Sequence, residues 1–167
     1  MTNPEYPGDN PLVGLVDLSV QRLLSAEPVA AVKFTAGRVI TDQRREREVI
    51  DAVADEARAW GIDPDYVRAV FRDQIDATVA LEHRRMAEWK RNPAAAPTAV
   101  PELSASRAII DSLNRTLVRE IALRWASLHS PTCAIHLANA KSIVIDARRL
   151  DQPLRDALDA ATQRYWS

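Results

Sequence analysis

Two cations in largely apolar segments are the first residues of this chain that suggest chemistry. Arg22 follows two leucines at spacings of seven and four residues, and Lys33 follows Val29 at a spacing of four. In a helix, these spacings put each cation on or beside the apolar face. A buried cation is costly unless an anion meets it, so the pattern predicts that an anionic ligand binds here.

Other polar side chains are spaced to join these two cations. Thr78 and Glu82 are one helical turn apart, on the side of their helix that also carries Phe71. Arg107 falls in the first turn of a later helix, where a cation opposes the helix dipole, so helix stability does not explain its presence. Together with Arg45, these groups predict one interior pocket that suits a small, rigid dicarboxylate.

The composition is that of an ordinary globular protein. The 167 residues are 27% charged and 47% hydrophobic, with a formal net charge of -1. This charge balance gives no sign of a nucleic-acid or membrane-surface partner, and no apolar segment approaches the ~20 residues of a membrane span. The three histidines lack metal-ligand spacing and no glycine-rich phosphate loop is present, so neither a metal nor a cofactor is predicted.

The pattern of helix formers and helix breakers predicts a single all-α domain, a bundle of about six helices. Residues 1–10, with Pro4, Pro7 and Gly8, are expected to be a flexible tail, and residues 11–167 to form the domain. Segment 93–101 holds three prolines and four alanines. It is interpreted as a linker between helices, because it is too short to imply a second domain.

Capping and breaking residues place the first helix boundaries. The first helix is predicted to begin near Leu12 and to be bent or restarted at Pro28. Gly37 follows its end, and Asp42 is placed to cap the next helix. The charged run that follows, Arg44 to Glu48, would usually be a solvated helix start with ion pairs, so taken alone it is weak evidence of function.

The chain resembles the all-helical chorismate mutases of the AroQ class, specifically the gamma, or exported, subclass. The resemblance extends from about Leu12 to Tyr165. It is carried by Arg22, Val-Ala-Ala-Val-Lys33, Ile-Thr-Asp42-Gln-Arg-Arg45-Glu46, Phe71-Arg-Asp-Gln-Ile-Asp-Ala-Thr78-Val-Ala-Leu-Glu82, Ala87-Glu-Trp-Lys-Arg-Asn-Pro93 and Leu103-Ser-Ala-Ser-Arg107. It implies an isomerase that rearranges chorismate to prephenate without a cofactor, by selecting the reactive conformer and stabilising charge on the ether oxygen.

The resemblance also implies a role for each polar residue of the pocket. Arg22 and Arg107 resemble the clamps for the two substrate carboxylates. Lys33 resembles the donor that reaches a carboxylate and the ether oxygen of the breaking bond, and Glu82 occupies the position that faces the same oxygen.

Four further residues complete the implied site. Asp42, Arg45 and Glu46 resemble the cluster that holds the ring hydroxyl and orders the pocket, and Thr78 assists at a carboxylate. The catalytic set implied by the resemblance is Lys33, Glu82 and Arg45.

Assembly and location follow from the same resemblance. Gamma-subclass relatives build each site from one protomer and form dimers, so a homodimer with one complete site per protomer is expected. Exported relatives commonly tie the fifth helix to the end of the chain with a disulfide. Cys133 matches the first partner, but Trp166 occupies the neighbourhood of the second. A secreted or periplasmic protein is expected, with a cytoplasmic location as the alternative because the disulfide is lost.

Two other functions stay open on the sequence. An isochorismate-pyruvate lyase on the same scaffold would share the cationic clamps, although the presence of both Thr78 and Glu82 favours the mutase. A non-catalytic helical binding protein would use the same charges as surface ion pairs. In that case, chorismate would not change the thermal stability of the protein.

Overall fold

The computed structural model describes residues 3–6, 8–38 and 40–166, and these residues form α-helices, turns and loops without a β-strand. The predicted all-α fold is confirmed. None of the described helices combines the length and the apolarity that crossing a membrane requires. The helices are α1 Val13–Leu24, α2 Ala26–Ala36, α3 Gln43–Ala59, α4 Pro64–Arg91, α5 Leu103–Leu123, α6 Trp125–Leu128, α7 Cys133–Arg148 and α8 Gln152–Thr162.

The first predicted helix is two helices. The break falls at Ser25 rather than at Pro28, because Pro28 lies in the first turn of α2, where a missing backbone N–H breaks no helical hydrogen bond. Gly37 ends α2 with φ 66°, in the left-handed region that glycine enters without strain. This split and the one-turn helix α6 explain why the described chain has more helices than the six predicted.

Carboxylates cap two of the helices that line the pocket, α3 and α4. Asp42 accepts a hydrogen bond from the backbone N–H of Arg45 at 3.1 Å, and so caps α3 as predicted. Asp63 caps α4 in the same way, directly before Pro64. By contrast, α7 begins at Cys133 with Thr132 at its N-cap position, and no side chain among the described residues caps it.

Helix α1 lies at the centre of the bundle and contacts α4, α5, α7 and α8. Its buried apolar residues include Leu15, Val20 and Leu23. A smaller cluster fixes α2 against α4: Trp89 meets Phe34 edge to face, with 5.6 Å between ring centroids. This packing holds the helix that carries Lys33.

The start of the chain contacts the bundle. Tyr6 donates a hydrogen bond from its hydroxyl to Asp17, and Asn10 donates one to the carbonyl of His136 at 2.8 Å. Residues 1, 2 and Pro7 of the predicted tail lie outside the described residues. The flexibility of residues 1–10 therefore stays a prediction. Between α4 and α5, segment 93–101 contains one short 3-10 turn, Pro93–Ala95.

Candidate active site

A pocket is formed by residues of α1 to α5 and of the loop between α2 and α3. Its volume is about 620 Å³ when the open mouth is included. The structure brings all the predicted site residues together around this space: Arg22, Lys33, Asp42, Arg45, Glu46, Thr78, Glu82 and Arg107. The remaining lining is apolar: Val29, Ile40, Val49, Ile75, Val79, Leu103 and Ile110.

Arg22 projects from α1 into the buried end of the pocket and is only 5% exposed. Its Nε donates to the side-chain oxygen of Asn114 at 2.7 Å, and one Nη donates to the hydroxyl of Thr78 at 3.2 Å. Burial, reinforced by repulsion from Arg45, lowers its pKa to about 10, so the guanidinium stays charged at neutral pH. Both acceptors are neutral, so neither removes that charge.

Thr78 is oriented by the backbone of its own helix. Its hydroxyl donates to the carbonyl of Gln74 at 2.7 Å, which leaves the oxygen lone pairs to accept from Arg22. Gln74 is itself held by Ser19 on α1, whose hydroxyl donates to the Gln74 side-chain oxygen at 2.7 Å. The bond between Ser19 and Gln74 fixes α4 against α1, one helical turn before Arg22 on α1 and Thr78 on α4.

Lys33 enters the same buried end from α2 and is 8% exposed. Its ammonium donates to the backbone carbonyl of Ile40, in the loop before α3. Within the described residues, neither Lys33 nor Arg22 forms an ion pair. The buried end of the pocket thus holds two cations whose direct hydrogen bonds go to neutral groups.

Glu82 supplies the carboxyl group of the buried end, and it is 4% exposed. Burial raises its pKa to about 7, although Lys33 and Arg22 act to lower it; the charge of Glu46 adds to the rise. At neutral pH, a large fraction of this group therefore carries a proton. A protonated carboxyl can donate a hydrogen bond to an oxygen in the pocket.

The cations at the mouth of the pocket are paired with carboxylates. Arg45 meets Asp111 with an N–O distance of 2.6 Å, and Arg107 meets Asp42 at 3.3 Å. The backbone N–H of Arg45 lowers the pKa of Asp42, and the charge of Arg107 adds to this effect, although partial burial opposes both. Sequence reasoning placed Arg107 in the interior, but its side chain is 38% exposed. The difference arises because its position near the start of α5 borders the open mouth.

Glu46 is held from outside the pocket by Arg72 of α4, with an N–O distance of 2.7 Å. Arg72 also binds Asp76 one turn later, at 2.7 Å. The charged residues from Arg44 to Glu48 therefore lie on two different faces of α3. Arg44 and Glu48 form the exposed pair expected of a solvated helix start, whereas Arg45 and Glu46 line the pocket.

Two residues of α5 that support the pocket were missed by sequence reasoning, namely Asp111 and Asn114. They follow Arg107 by four and seven residues, which puts all three on one helix face. That spacing is the sequence pattern from which Asp111 and Asn114 could have been predicted as pocket residues. Regarding metals, the described ranges 3–6, 8–38 and 40–166 contain no group of three His, Cys, Asp or Glu side chains that could hold an ion.

The chain is similar to proteins described as chorismate mutases. The family described as chorismate mutase type II matches residues 14–83, a range that includes every predicted site residue except Arg107. A secreted chorismate mutase from Mycolicibacterium smegmatis is 53% identical over 156 residues, covering 93% of this chain and 86% of the relative. One from Mycobacterium tuberculosis is 45% identical over 158 residues, covering 95% and 79%.

Solved structures agree with these relatives. The crystal structure of chorismate mutase from Burkholderia thailandensis superposes with a TM-score of 0.88 at 32% identity, covering 94% of this chain and 99% of that chain. Chorismate mutase from Burkholderia phymatum gives a TM-score of 0.89 at 28% identity, covering 95% and 97%.

Proposed function

The chain belongs to the chorismate mutase family, and we propose that it isomerises chorismate to prephenate in the pocket between α1 and α5. The observation that carries the proposal is the pair of buried cations, Arg22 and Lys33, whose direct hydrogen bonds go to neutral acceptors. Chorismate carries two carboxylates. A buried cation without a carboxylate partner gains more from binding one than a cation that is already paired.

Arg22 and Arg107 are assigned to the two substrate carboxylates. Arg22 already uses its Nε and one Nη group, and within the described residues its second Nη group has no acceptor. Thr78 lies beside that guanidinium, and its hydroxyl can turn from the carbonyl of Gln74 to donate to the same carboxylate. Arg107 stands at the mouth, where it can exchange Asp42 for the second carboxylate with little desolvation.

Lys33 and Glu82 are assigned to the ether oxygen. The reaction breaks the ether C–O bond of chorismate while a new C–C bond forms in the same molecule, and negative charge builds on the oxygen that departs. Preorganised donors at such an oxygen each contribute about 10²–10³-fold in rate. An acceleration of ~10⁶-fold corresponds to roughly 8 kcal/mol, so two donors supply much of it, and the selection of the compact conformer supplies the remainder.

The cluster of Asp42, Arg45 and Glu46 is assigned to the ring hydroxyl and to the order of the pocket. Arg45 has a catalytic role in this assignment, because its guanidinium adds to the positive potential around the substrate while Asp111 fixes its direction. Glu46 keeps its orientation through Arg72. A hydroxyl at this edge of the pocket would find both a donor and acceptors.

We further propose that the protein is a homodimer with one complete site per protomer, and that it is secreted or periplasmic. Every assigned side chain comes from one chain, which supports a site that needs no partner residue. The curated relatives are named as secreted enzymes. Cys133 is free and buried, so an exported form of this protein would be stable without the disulfide that other exported relatives commonly have. Sedimentation of the purified protein tests the dimer.

The function is tested by incubating purified protein with chorismate, following the loss of its absorbance and identifying the product. Prephenate is the expected product. Release of salicylate and pyruvate from isochorismate, supplied in a parallel assay, would instead assign the lyase reaction on the same scaffold. If neither appears, and a dicarboxylate analogue at 100 times its expected dissociation constant fails to stabilise the protein by about 2.7 kcal/mol, the pocket does not bind this substrate class.

A further inference from the structure

Two arginines are almost fully buried at α1: Arg22 belongs to this helix, and Arg148 reaches it from α7. Their hydrogen-bond partners differ in charge. The side chain of Arg148 is 6% exposed and binds both carboxylate oxygens of Asp17, at 2.6 and 2.9 Å. Arg22 is as deeply buried but receives an amide oxygen from Asn114 instead of a carboxylate. A carboxylate on α1 therefore neutralises the buried Arg148 of α7, whereas Arg22 on α1 has no carboxylate partner among the described residues.

Asn114 is placed to hold the guanidinium without neutralising it. It is buried on α5, and its side-chain oxygen accepts from Arg22 Nε at 2.7 Å. The Nε–H lies beside one Nη–H on the same edge of the guanidinium, and the single amide oxygen of Asn114 is bound at the Nε position of that edge. A bond at Nε therefore fixes the plane of the guanidinium while leaving one Nη for Thr78 and the other for a ligand.

We propose that Asn114 is a positioning residue of the substrate site, whose neutral amide orients Arg22 and preserves its charge for a substrate carboxylate. The inference rests on the proposed function of the pocket. An aspartate at this position has nearly the same shape and would accept the same hydrogen bond. It would also place a full negative charge beside Arg22, where the substrate carboxylate must bind.

The charges around Arg22 do not already provide that neutralisation. Glu82 and Asp111 attract the guanidinium from nearby, while Arg45 repels it. Asp111 is bound to Arg45, and Glu82 has its pKa raised to about 7 by burial. The charge of Arg22 therefore stays available to a substrate carboxylate.

The test compares Asn114→Asp with the wild-type protein by steady-state kinetics on chorismate and by thermal unfolding. The kcat should change little, because Arg22 binds the same carboxylate before and during the reaction, whereas KM should rise roughly 10-fold to 100-fold. The Tm without substrate should stay at or above that of the wild type, because Arg22 gains a charged partner. Loss of packing would instead lower Tm and kcat together.

A matched control is Ser112→Asp, which adds the same charge to the exposed face of α5 two residues away. It should leave KM within about 2-fold of wild type, since exposed charges are screened. A KM of Asn114→Asp equal to that of this control would overturn the role of Asn114 while leaving the mutase assignment intact. Absence of mutase activity in the wild-type protein would overturn both.

Discussion

The two halves of helix α1 each carry a buried charge, and only one of these charges is paired by the protein. At one end, Asp17 is saturated by donors from Arg148, Tyr6 and Gln21. At the other end, Arg22 meets an amide and a hydroxyl, and its charge is left without a carboxylate contact. Asp17 and Arg22 are five positions apart on one helix. The protein itself pairs the charge of Asp17, whereas a ligand must pair the charge of Arg22. A buried charge whose protein partners are all neutral thus indicates a binding site.

The largest effect is expected at the pocket end, from Lys33→Ala. Turnover of chorismate should fall by at least ~10²-fold, roughly 3 kcal/mol, because the ammonium stabilises charge that develops only in the transition state. The circular dichroism spectrum and Tm should stay close to wild type, since the ammonium bonds only the Ile40 carbonyl. A folded variant with near-normal turnover would remove Lys33 from the proposed mechanism.

A loss of stability without a loss of activity is expected at Asp17, when its partner Arg148 on α7 is changed to Met. Breaking a buried ion pair leaves Asp17 without its main partner, and the free energy of unfolding should fall by about 3 kcal/mol. The value of kcat/KM below the melting range should stay unchanged, because Arg148 does not line the pocket. Denaturant unfolding and chorismate kinetics measure the two quantities.

A double variant controls this result. Adding Asp17→Asn to Arg148→Met removes both charges, and much of the lost stability should return. If the single variant lost activity but kept its stability, the assignment of this end of α1 to structure alone would be contradicted.

Much of this fold follows from local sequence, but the partners of its buried charges do not. Helix caps such as Asp42 and the inward side of Arg22 and Glu82 depend on neighbours within one or two turns. By contrast, Asp17 and Arg148 are 131 residues apart, and Arg22 and Asn114 are 92 apart, so only the packed bundle brings them together.

Exposure is also a property of the packed bundle. The sequence placed Arg107 in the interior because its helix position lacked a local explanation, yet the mouth of the pocket borders that turn of α5. Likewise, the break between α1 and α2 at Ser25 has no strong breaker, whereas Pro28 is accommodated in the first turn of a helix. Asn114 had spacing in its favour, but an asparagine in a helix has no single role to predict.

A smaller effect, and one that depends on pH, is expected from Glu82→Gln. The pKa of Glu82 is raised from 4.5 to about 7, so the folded protein keeps a proton that the unfolded chain releases above pH 4.5. The stability that this group contributes is complete below pH 4.5 and is lost as pH rises through about 7. About 2–3 kcal/mol of wild-type stability is lost between pH 5 and pH 8, so the Tm of the glutamine variant, relative to wild type, should rise by roughly 5–10 °C over that range.

The same variant tests the donor role. The kcat/KM of the wild type should decline above pH about 7, as the carboxyl loses its proton in the free enzyme. Glutamine donates without titrating, so the variant should stay active with a flatter alkaline side. A variant that is inactive at every pH, or that keeps the wild-type decline, would show that Glu82 is not the donor to the ether oxygen.

The most direct test of the contrast between the two ends of α1 is a crystal structure with a non-reactive bicyclic dicarboxylate that mimics the compact substrate conformer. One carboxylate should lie within hydrogen-bond distance of Arg22, which keeps its bond to Asn114, and the ether oxygen should lie between Lys33 and Glu82. An analogue bound only at the mouth, with Arg22 still contacting nothing but Asn114 and Thr78, would contradict the account.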